Sequence, residues 1–95
     1  MEFDKILLKP MSWQILSYLA SQEPQKAEEI ANNLGLSTRQ VDAAVTKSLV
    51  RYGFVIREAK LTRLMKKEYN LIKVTERGKQ YVAWKHEKDA AKGRA

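Results

Sequence analysis

Residues 27–40, AEEIANNLGLSTRQ, contain the clearest structural signals of the chain. The first half of this stretch repeats apolar residues at the spacing that places them on one face of a helix. These residues are Ala27, Ile30, Ala31 and Leu34. Gly35 follows where helices commonly end in a left-handed residue, and Ser37 with Gln40 three residues later forms the capping-box pattern that starts another helix. Two helices joined by so short a turn predict a helix-turn-helix.

The helices around this stretch follow from similar signals. Pro10 predicts the start of a first helix, because proline fits a first turn whose N–H groups have no partner, and Pro24 ends it near residues 21–24. The second helix is predicted over about residues 25–34, and the third runs from Ser37 until Gly53 ends it. The inward face of the third helix is predicted to be Val41, Ala44, Val45 and Leu49. Its outward residues are Arg39, Gln40, Asp42, Ala43, Thr46 and Lys47.

Beyond Gly53 the pattern becomes that of strands, with one predicted to begin at residues 54–57 and another at residues 68–74. Residues 62–67 between them contain no Asn-Gly or Asp-Gly pair, so we expect a longer, mobile loop at the tip. Thr75 is predicted to cap a fourth helix, in which Tyr81, Val82 and Trp84 form an apolar side. The charged residues 86–95 are expected to fray.

Length and composition exclude several classes of protein. The 95 residues fit a single domain, and a chain with no cysteine and one histidine, His86, forms no disulfides and no thiolate or multi-histidine metal site. There is no glycine-rich phosphate loop or catalytic triad pattern. We therefore expect no enzymatic activity, no cofactor and no bound metal. No stretch has the length of a membrane span or the pattern of a secretory signal, so we expect a cytoplasmic protein without membrane contact.

The net charge of +7 is concentrated in one part of the chain. Residues 37–79 contain eleven Lys or Arg and four Asp or Glu, which accounts for all of the excess. Such an asymmetry is typical of a surface that meets a polyanion, most often nucleic acid. A basic face that only aids solubility is the alternative.

The order of these elements resembles that of the winged helix-turn-helix DNA-binding regulators of bacteria and archaea, of the MarR and ArsR types. Residues 13–19, 27–37, 53–55 and 74–78, together with Leu49, carry this resemblance, which covers nearly the whole chain. Val41 lies one residue earlier in the third helix than the usual spacing of MarR-type repressors would place it. The resemblance implies an α+β, mostly helical fold with a three-helix core, a two-stranded basic wing and a C-terminal helix. A single domain would occupy residues 1–95, with an N-terminal extension at residues 1–9.

The resemblance also implies a function, namely sequence-specific binding of double-stranded DNA by a transcriptional regulator. The recognition helix, residues 37–52, would enter the major groove, and the wing, residues 54–74, would meet the backbone or minor groove. The candidate DNA-binding residues are Thr38, Arg39, Gln40, Ala43, Thr46, Lys47, Arg51, Lys60, Arg63, Lys66, Lys67 and Lys26. Tyr81 and Trp84 are candidates for a homodimer interface, or for covering the core of their own chain.

Alternatives remain open for the candidate residues and for the whole chain. Arg39 and Gln40 are also explained as solvent-facing first-turn residues, with Gln40 used in capping, and the basic wing residues as charges that protect an exposed strand edge. At the level of the whole chain, the alternative is a winged-helix interaction or architectural module that binds a protein partner, or nucleic acid without sequence specificity.

Overall fold

The computed structural model describes the backbone of residues 2–61 and 68–92 and the side chains of residues 3, 5–59 and 70–90. A short 3-10 helix, Glu2–Lys5, precedes helices α1 (Pro10–Ala20), α2 (Ala27–Leu34) and α3 (Thr38–Ala44). A π-helical turn, Val45–Leu49, continues α3, and strands β1 (Val55–Leu61) and β2 (Glu68–Val74) lead into helix α4 (Glu76–Lys92). The predicted fold class, α+β and mostly helical with a winged helix-turn-helix, is confirmed.

The helix-turn-helix forms as its capping signals predict. Gly35 ends α2 with φ +69°, a left-handed conformation that glycine adopts without the steric cost of a Cβ atom. The Ser37 hydroxyl accepts a hydrogen bond from the Gln40 backbone N–H at 3.1 Å, and the Gln40 side-chain oxygen accepts one from the Ser37 N–H at 2.9 Å. The start of α3 is therefore fixed by the reciprocal capping box.

The helix that begins with α3 departs from regular geometry in its last turns. The N–H groups of Val50 and Phe54 donate to the carbonyls of Val45 and Leu49, at 2.8 and 2.9 Å, in bonds that span five residues. In a regular helix each residue is rotated by about 100° around the helix axis. Residues four positions apart therefore differ in direction by about 40°. The wider turn accommodates one additional residue, and Val41, Val45 and Leu49 all remain fully buried. This turn accounts for the early position of Val41 in the sequence.

The two strands form an antiparallel hairpin whose register runs from Val55 opposite Val74 to Leu61 opposite Glu68. Backbone hydrogen bonds from Ile72 to Gln25 (2.7 Å) and from Gln25 to Ile72 (3.3 Å) attach the base of the hairpin to the entry of α2. The hairpin is thus held at its base by the helical core. The predicted loop over residues 62–67 lies outside the described residues.

The N-terminal segment and α4 complete the core. Phe3 and Ile6 are buried, so residues of the predicted N-terminal extension belong to the hydrophobic core. The Tyr81 ring stacks on Phe54 with centroids 4.6 Å apart and meets the Phe3 ring edge-on at 5.4 Å. Burial raises the pKa of the Tyr81 phenol above its ordinary value of 10.0, with smaller contributions from Tyr52 and Asp89.

Helix α4 begins at a close contact with the chain segment before β1. The Thr75 hydroxyl accepts a hydrogen bond from the Gly78 N–H at 3.1 Å, as predicted for the cap, and donates one to the Gly53 carbonyl at 2.6 Å. The Thr75 N–H donates to the Phe54 carbonyl at 2.8 Å. Residues 52–54 and 75–78, called the α4 junction below, therefore connect the end of the helical half to the end of the hairpin.

Arg77 adds a second set of contacts at the α4 junction. Its Nε donates to the Tyr52 carbonyl at 2.9 Å. Its guanidinium lies 5.4 Å from the Phe3 ring centroid and 5.6 Å from that of Phe54, within the range of cation–π attraction. The same residue thus contacts the N-terminal segment and the chain ahead of β1.

Helix α4 continues through residues 86–92, which are part of the tail expected from the sequence to fray. The His86 ring lies 5.6 Å from Trp13 of α1, and the Lys85 ammonium lies 5.3 Å from the centroid of the same indole. These contacts stabilise the helical conformation of this charged segment, because aromatic rings attract cations placed over them. No helix among the described residues is long and apolar enough to cross a membrane.

We predict that Gly78→Ala destabilises the protein, although alanine is ordinarily the better helix former by about 1 kcal/mol. A Cβ atom at this position would overlap the Phe54 carbonyl oxygen, a backbone atom that cannot turn aside. The expected loss in the free energy of unfolding is about 1–3 kcal/mol, measured by urea denaturation. Gln80→Ala, at an exposed position in the same helix, is the control and should change stability little. A Gly78→Ala protein as stable as the unchanged chain would contradict this packing.

Candidate nucleic-acid interface

The outer face of the helix that begins with α3 carries the predicted recognition residues. Val41, Val45 and Leu49 are buried on its inner face. The predicted residues that the structure leaves exposed are Thr38, Arg39, Gln40, Thr46, Lys47 and Arg51. Ala43 is half-buried. The exposed residues are thus accessible on the parts of this helix that do not face the core or, for Arg51, in the turn that follows it, and their contact with DNA stays a prediction.

Gln40 has the capping role that the sequence left open. Its side-chain oxygen accepts the Ser37 N–H, while its side-chain NH₂ group has two donors and the oxygen a second lone pair. Capping thus fixes the position of the amide on the surface and leaves hydrogen-bonding capacity for another partner.

A groove of about 280 Å³ separates this helix from the start of α1. Gln40, Ala43 and Lys47 line one side, and Lys9 and Met11 line the other. Lys9 is exposed immediately before Pro10, and its contribution to this surface was missed in the sequence analysis. A basic residue directly before the first helix is the only signal the sequence offered.

A second residue missed by the sequence analysis, Arg57 on β1, joins the hairpin to α3. Its Nη1 donates to Asp42 Oδ1 at 3.3 Å, and its Nη2 donates to Thr46 Oγ1 at 2.9 Å. Arg57 is paired in the sheet with the buried Ile72, so its side chain leaves the hairpin on the face toward the helices. The Thr46 hydroxyl, a predicted DNA-binding group, thus already accepts a hydrogen bond within the chain.

Lys26 lies beside a groove of mixed charge. It is exposed at the start of α2, and its backbone N–H donates to Glu29 Oε1 at 3.3 Å. The groove, about 280 Å³, is lined by the cations Lys26 and Arg57 and by the carboxylates Glu28 and Asp42. Such balanced charge makes this part of the surface less attractive to a phosphate than the outer face of α3. The carboxylates do not form a metal site, since no three His, Asp or Glu side chains converge within the described ranges.

Most of the predicted wing contacts lie where the structure gives no description. Arg63, Lys66 and Lys67 fall within residues 62–67, and the side chain of Lys60 is also outside the described set. On the described part of the hairpin, Arg57 and Lys73 are exposed cations. The wing assignment therefore stays a prediction.

The proposed dimer role of Tyr81 requires correction. Its side chain is only 2% exposed, because it is enclosed by aromatic rings of its own chain. Trp84 is half-buried, with its ring centroid 5.8 Å from that of Phe3 and 4.9 Å from the Lys88 ammonium. Of the two alternatives, covering the core of the same chain describes Tyr81.

Comparisons with known proteins find their matches among solved structures. Neither protein-family models nor curated proteins match the sequence. A MarR-family transcriptional regulator from Rhodococcus sp. RHA1 is 29% identical over 92% of this chain and 60% of its own, with a TM-score of 0.69. A MarR protein from Peptoclostridium difficile is 18% identical, with a TM-score of 0.71 over 96% of this chain and 57% of its own.

A further match is the S. aureus MepR–DNA complex, 19% identical, with a TM-score of 0.71 over 96% of this chain and 70% of that one. This chain spans about 60% of the length of the Rhodococcus regulator. The likenesses below 25% identity concern the fold. The Rhodococcus protein is described as a transcriptional regulator. Of the two types named from the sequence, the comparisons support the first: the chain has a winged-helix fold similar to that of solved MarR-family regulators.

Proposed function

We propose that this protein binds double-stranded DNA in a sequence-specific manner as a transcriptional regulator. The observation that carries the proposal is the exposed outer face of α3, with its polar and basic residues. The S. aureus protein MepR has a similar fold and is described in complex with DNA. The concentration of positive charge in residues 37–79 supports the same partner.

The recognition helix has the dimensions and side chains for direct readout. A helix of about 10–12 Å diameter fits the major groove. Arg39 can donate two hydrogen bonds to guanine, Gln40 suits adenine, and Thr38 and Ala43 present methyl groups to a thymine methyl. Thr46 lies farther along the same face. These contacts supply sequence choice.

The surrounding cations supply affinity for the backbone. Lys47, Arg51 and Lys9 flank the readout residues and are exposed, as phosphate-binding cations must be. Lys26 is a further candidate, although the carboxylates beside it reduce its contribution. The wing would place Lys60, Arg63, Lys66 and Lys67 on the adjacent backbone or minor groove, where they strengthen binding to every sequence alike.

We predict that Arg39→Ala reduces affinity for a duplex selected from a random pool by about tenfold or more, because a bidentate arginine–guanine contact is lost. Affinity for a scrambled duplex should fall much less. Lys79→Ala, which removes an exposed cation on α4, is the control and should leave the preference unchanged. Fluorescence anisotropy over a range of salt concentrations measures all of these affinities.

The outcomes separate the proposal from its alternatives. Binding that is steeply salt-dependent but equal for selected and scrambled duplexes would mean a module that holds nucleic acid without reading sequence. No binding to any duplex at low salt would contradict DNA binding altogether and would favour a protein-binding module.

For the wing, we predict that Lys66→Ala combined with Lys67→Ala lowers affinity for selected and scrambled duplexes by the same factor. Each phosphate contact that is lost should also reduce the slope of log K against log salt by about 0.9. Titrations at several salt concentrations measure the slope. Unchanged affinity at moderate salt would show that the wing residues do not meet DNA.

We also propose that the protein is a homodimer and acts in the cytoplasm. The two recognition helices of the dimer would reach half-sites about 34–36 Å apart on a palindromic operator. A second copy doubles the readout surface, because two recognition helices contact more base pairs than one short helix does. We predict a mass in solution of twice the 11.0 kDa of one chain, measured by sedimentation equilibrium. A single-chain mass at micromolar concentration, both free and bound to the selected duplex, would contradict the dimer.

A further inference from the structure

One side chain connects the two elements to which the proposed function assigns DNA contact. Arg57 on β1 reaches Asp42 and Thr46 with separate nitrogens, at 3.3 and 2.9 Å. Asp42 and Thr46 are four residues apart on α3 and its continuation, so they lie on one side of that helix. The guanidinium therefore spans two successive turns of the helix from a fixed position on the hairpin.

The contact contributes orientation more than stability. The side chains of Arg57 and Asp42 are 32% and 49% exposed, and ion pairs this exposed stabilise the folded state very little. A planar guanidinium held by two acceptors nevertheless defines a direction, which a lysine ammonium would not. The guanidinium has five N–H donors and uses two of them here.

Asp42 would otherwise be unfavourable at this place. It is a carboxylate among the outward residues of a helix that, on the proposed function, approaches a polyanion. Arg57 offsets that charge where it stands, and the pairing places both groups between the recognition helix and the hairpin. The presence of an acid at this position is explained if Asp42 holds the guanidinium of Arg57 in place.

We propose that Arg57 is a positioning residue: by holding Asp42 and Thr46, it fixes the base of the hairpin against the recognition helix so that both meet one duplex. This inference rests on the proposed DNA-binding function for its consequence, but its geometric part concerns the free protein. The competing role for Arg57, a direct phosphate contact that Asp42 weakens, is the outcome that the experiments below separate from it.

The decisive variant is Asp42→Ala, because a positioning role and a direct phosphate contact of Arg57 predict changes in DNA affinity of opposite sign. Removing a negative charge next to DNA raises affinity by electrostatics alone. If Asp42 positions Arg57, affinity for the selected duplex falls instead, by about fivefold, within the range of coupling between residues in contact. The salt slope stays unchanged, because no cation is lost. A rise in affinity for Asp42→Ala would overturn the proposal.

Arg57→Gln and Arg57→Lys complete the affinity test. Arg57→Lys keeps the charge but not the two-point geometry, so it should lose about as much affinity as Arg57→Gln while keeping the salt slope. Lys73→Gln, which removes an exposed cation from β2, is the matched control for charge. If Arg57→Lys binds as the unchanged protein does, the charge and not the geometry matters, and the proposal fails.

A measurement without DNA keeps this inference separate from the proposed function. The chain has no cysteine, so spin labels on Gln14→Cys in α1 and Ile56→Cys in β1, both exposed, report the distance between the helical body and the hairpin. We expect a broader distribution with Arg57→Gln or Asp42→Ala, and an unchanged one with Lys73→Gln. If the distribution stays narrow in both, the positioning role is wrong. If it broadens but the unchanged protein binds no duplex, only the proposed function is wrong.

Discussion

The structure depends on how closely the start of α4 approaches the backbone that precedes β1. Gly78 lies against the Phe54 carbonyl with no room for a Cβ atom, while Thr75 bonds to both Gly53 and Phe54. Gly53 itself has φ +76°, a turn that favours glycine. The α4 junction thereby fixes, with backbone contacts, where the recognition helix ends and where the hairpin begins.

Several features of the surface follow from this constraint. Because residues 52–54 are fixed at the junction, the π-helical turn Val45–Leu49 that precedes them keeps the inner residues buried and leaves the polar residues outside. Because β1 starts at the same point, its third residue, Arg57, comes within reach of Asp42 and Thr46. The hairpin and the helix are held together by backbone packing at the junction and by the polar contact of Arg57 near the base of the hairpin.

Local patterns in the sequence were sufficient for the elements. The capping box at Ser37 and Gln40, the glycine after α2 and the cap at Thr75 all use contacts within a few residues, and all were predicted correctly. The π-helical turn was visible only as an early Val41, since spacing reveals an additional residue but not how the backbone accommodates it.

Contacts between distant residues were beyond the sequence patterns. Phe3 is buried against Tyr81, but an aromatic residue between the acids Glu2 and Asp4 has no periodicity to mark it. Arg57 and Asp42 are fifteen residues apart, and they meet only because the hairpin is held against the helical core. For the same reason the local pattern could not decide whether Tyr81 lies at a dimer surface or in the core of its own chain, where rings from three other segments enclose it.

The most direct test of the account is an NMR titration of the ¹⁵N-labelled protein with the selected duplex. We expect amide shifts to concentrate in residues 38–51 and in the hairpin, with the carboxyl-terminal half of α4 unaffected. Shifts confined to α4 and the N-terminal segment, with the outer face of α3 unchanged, would contradict it.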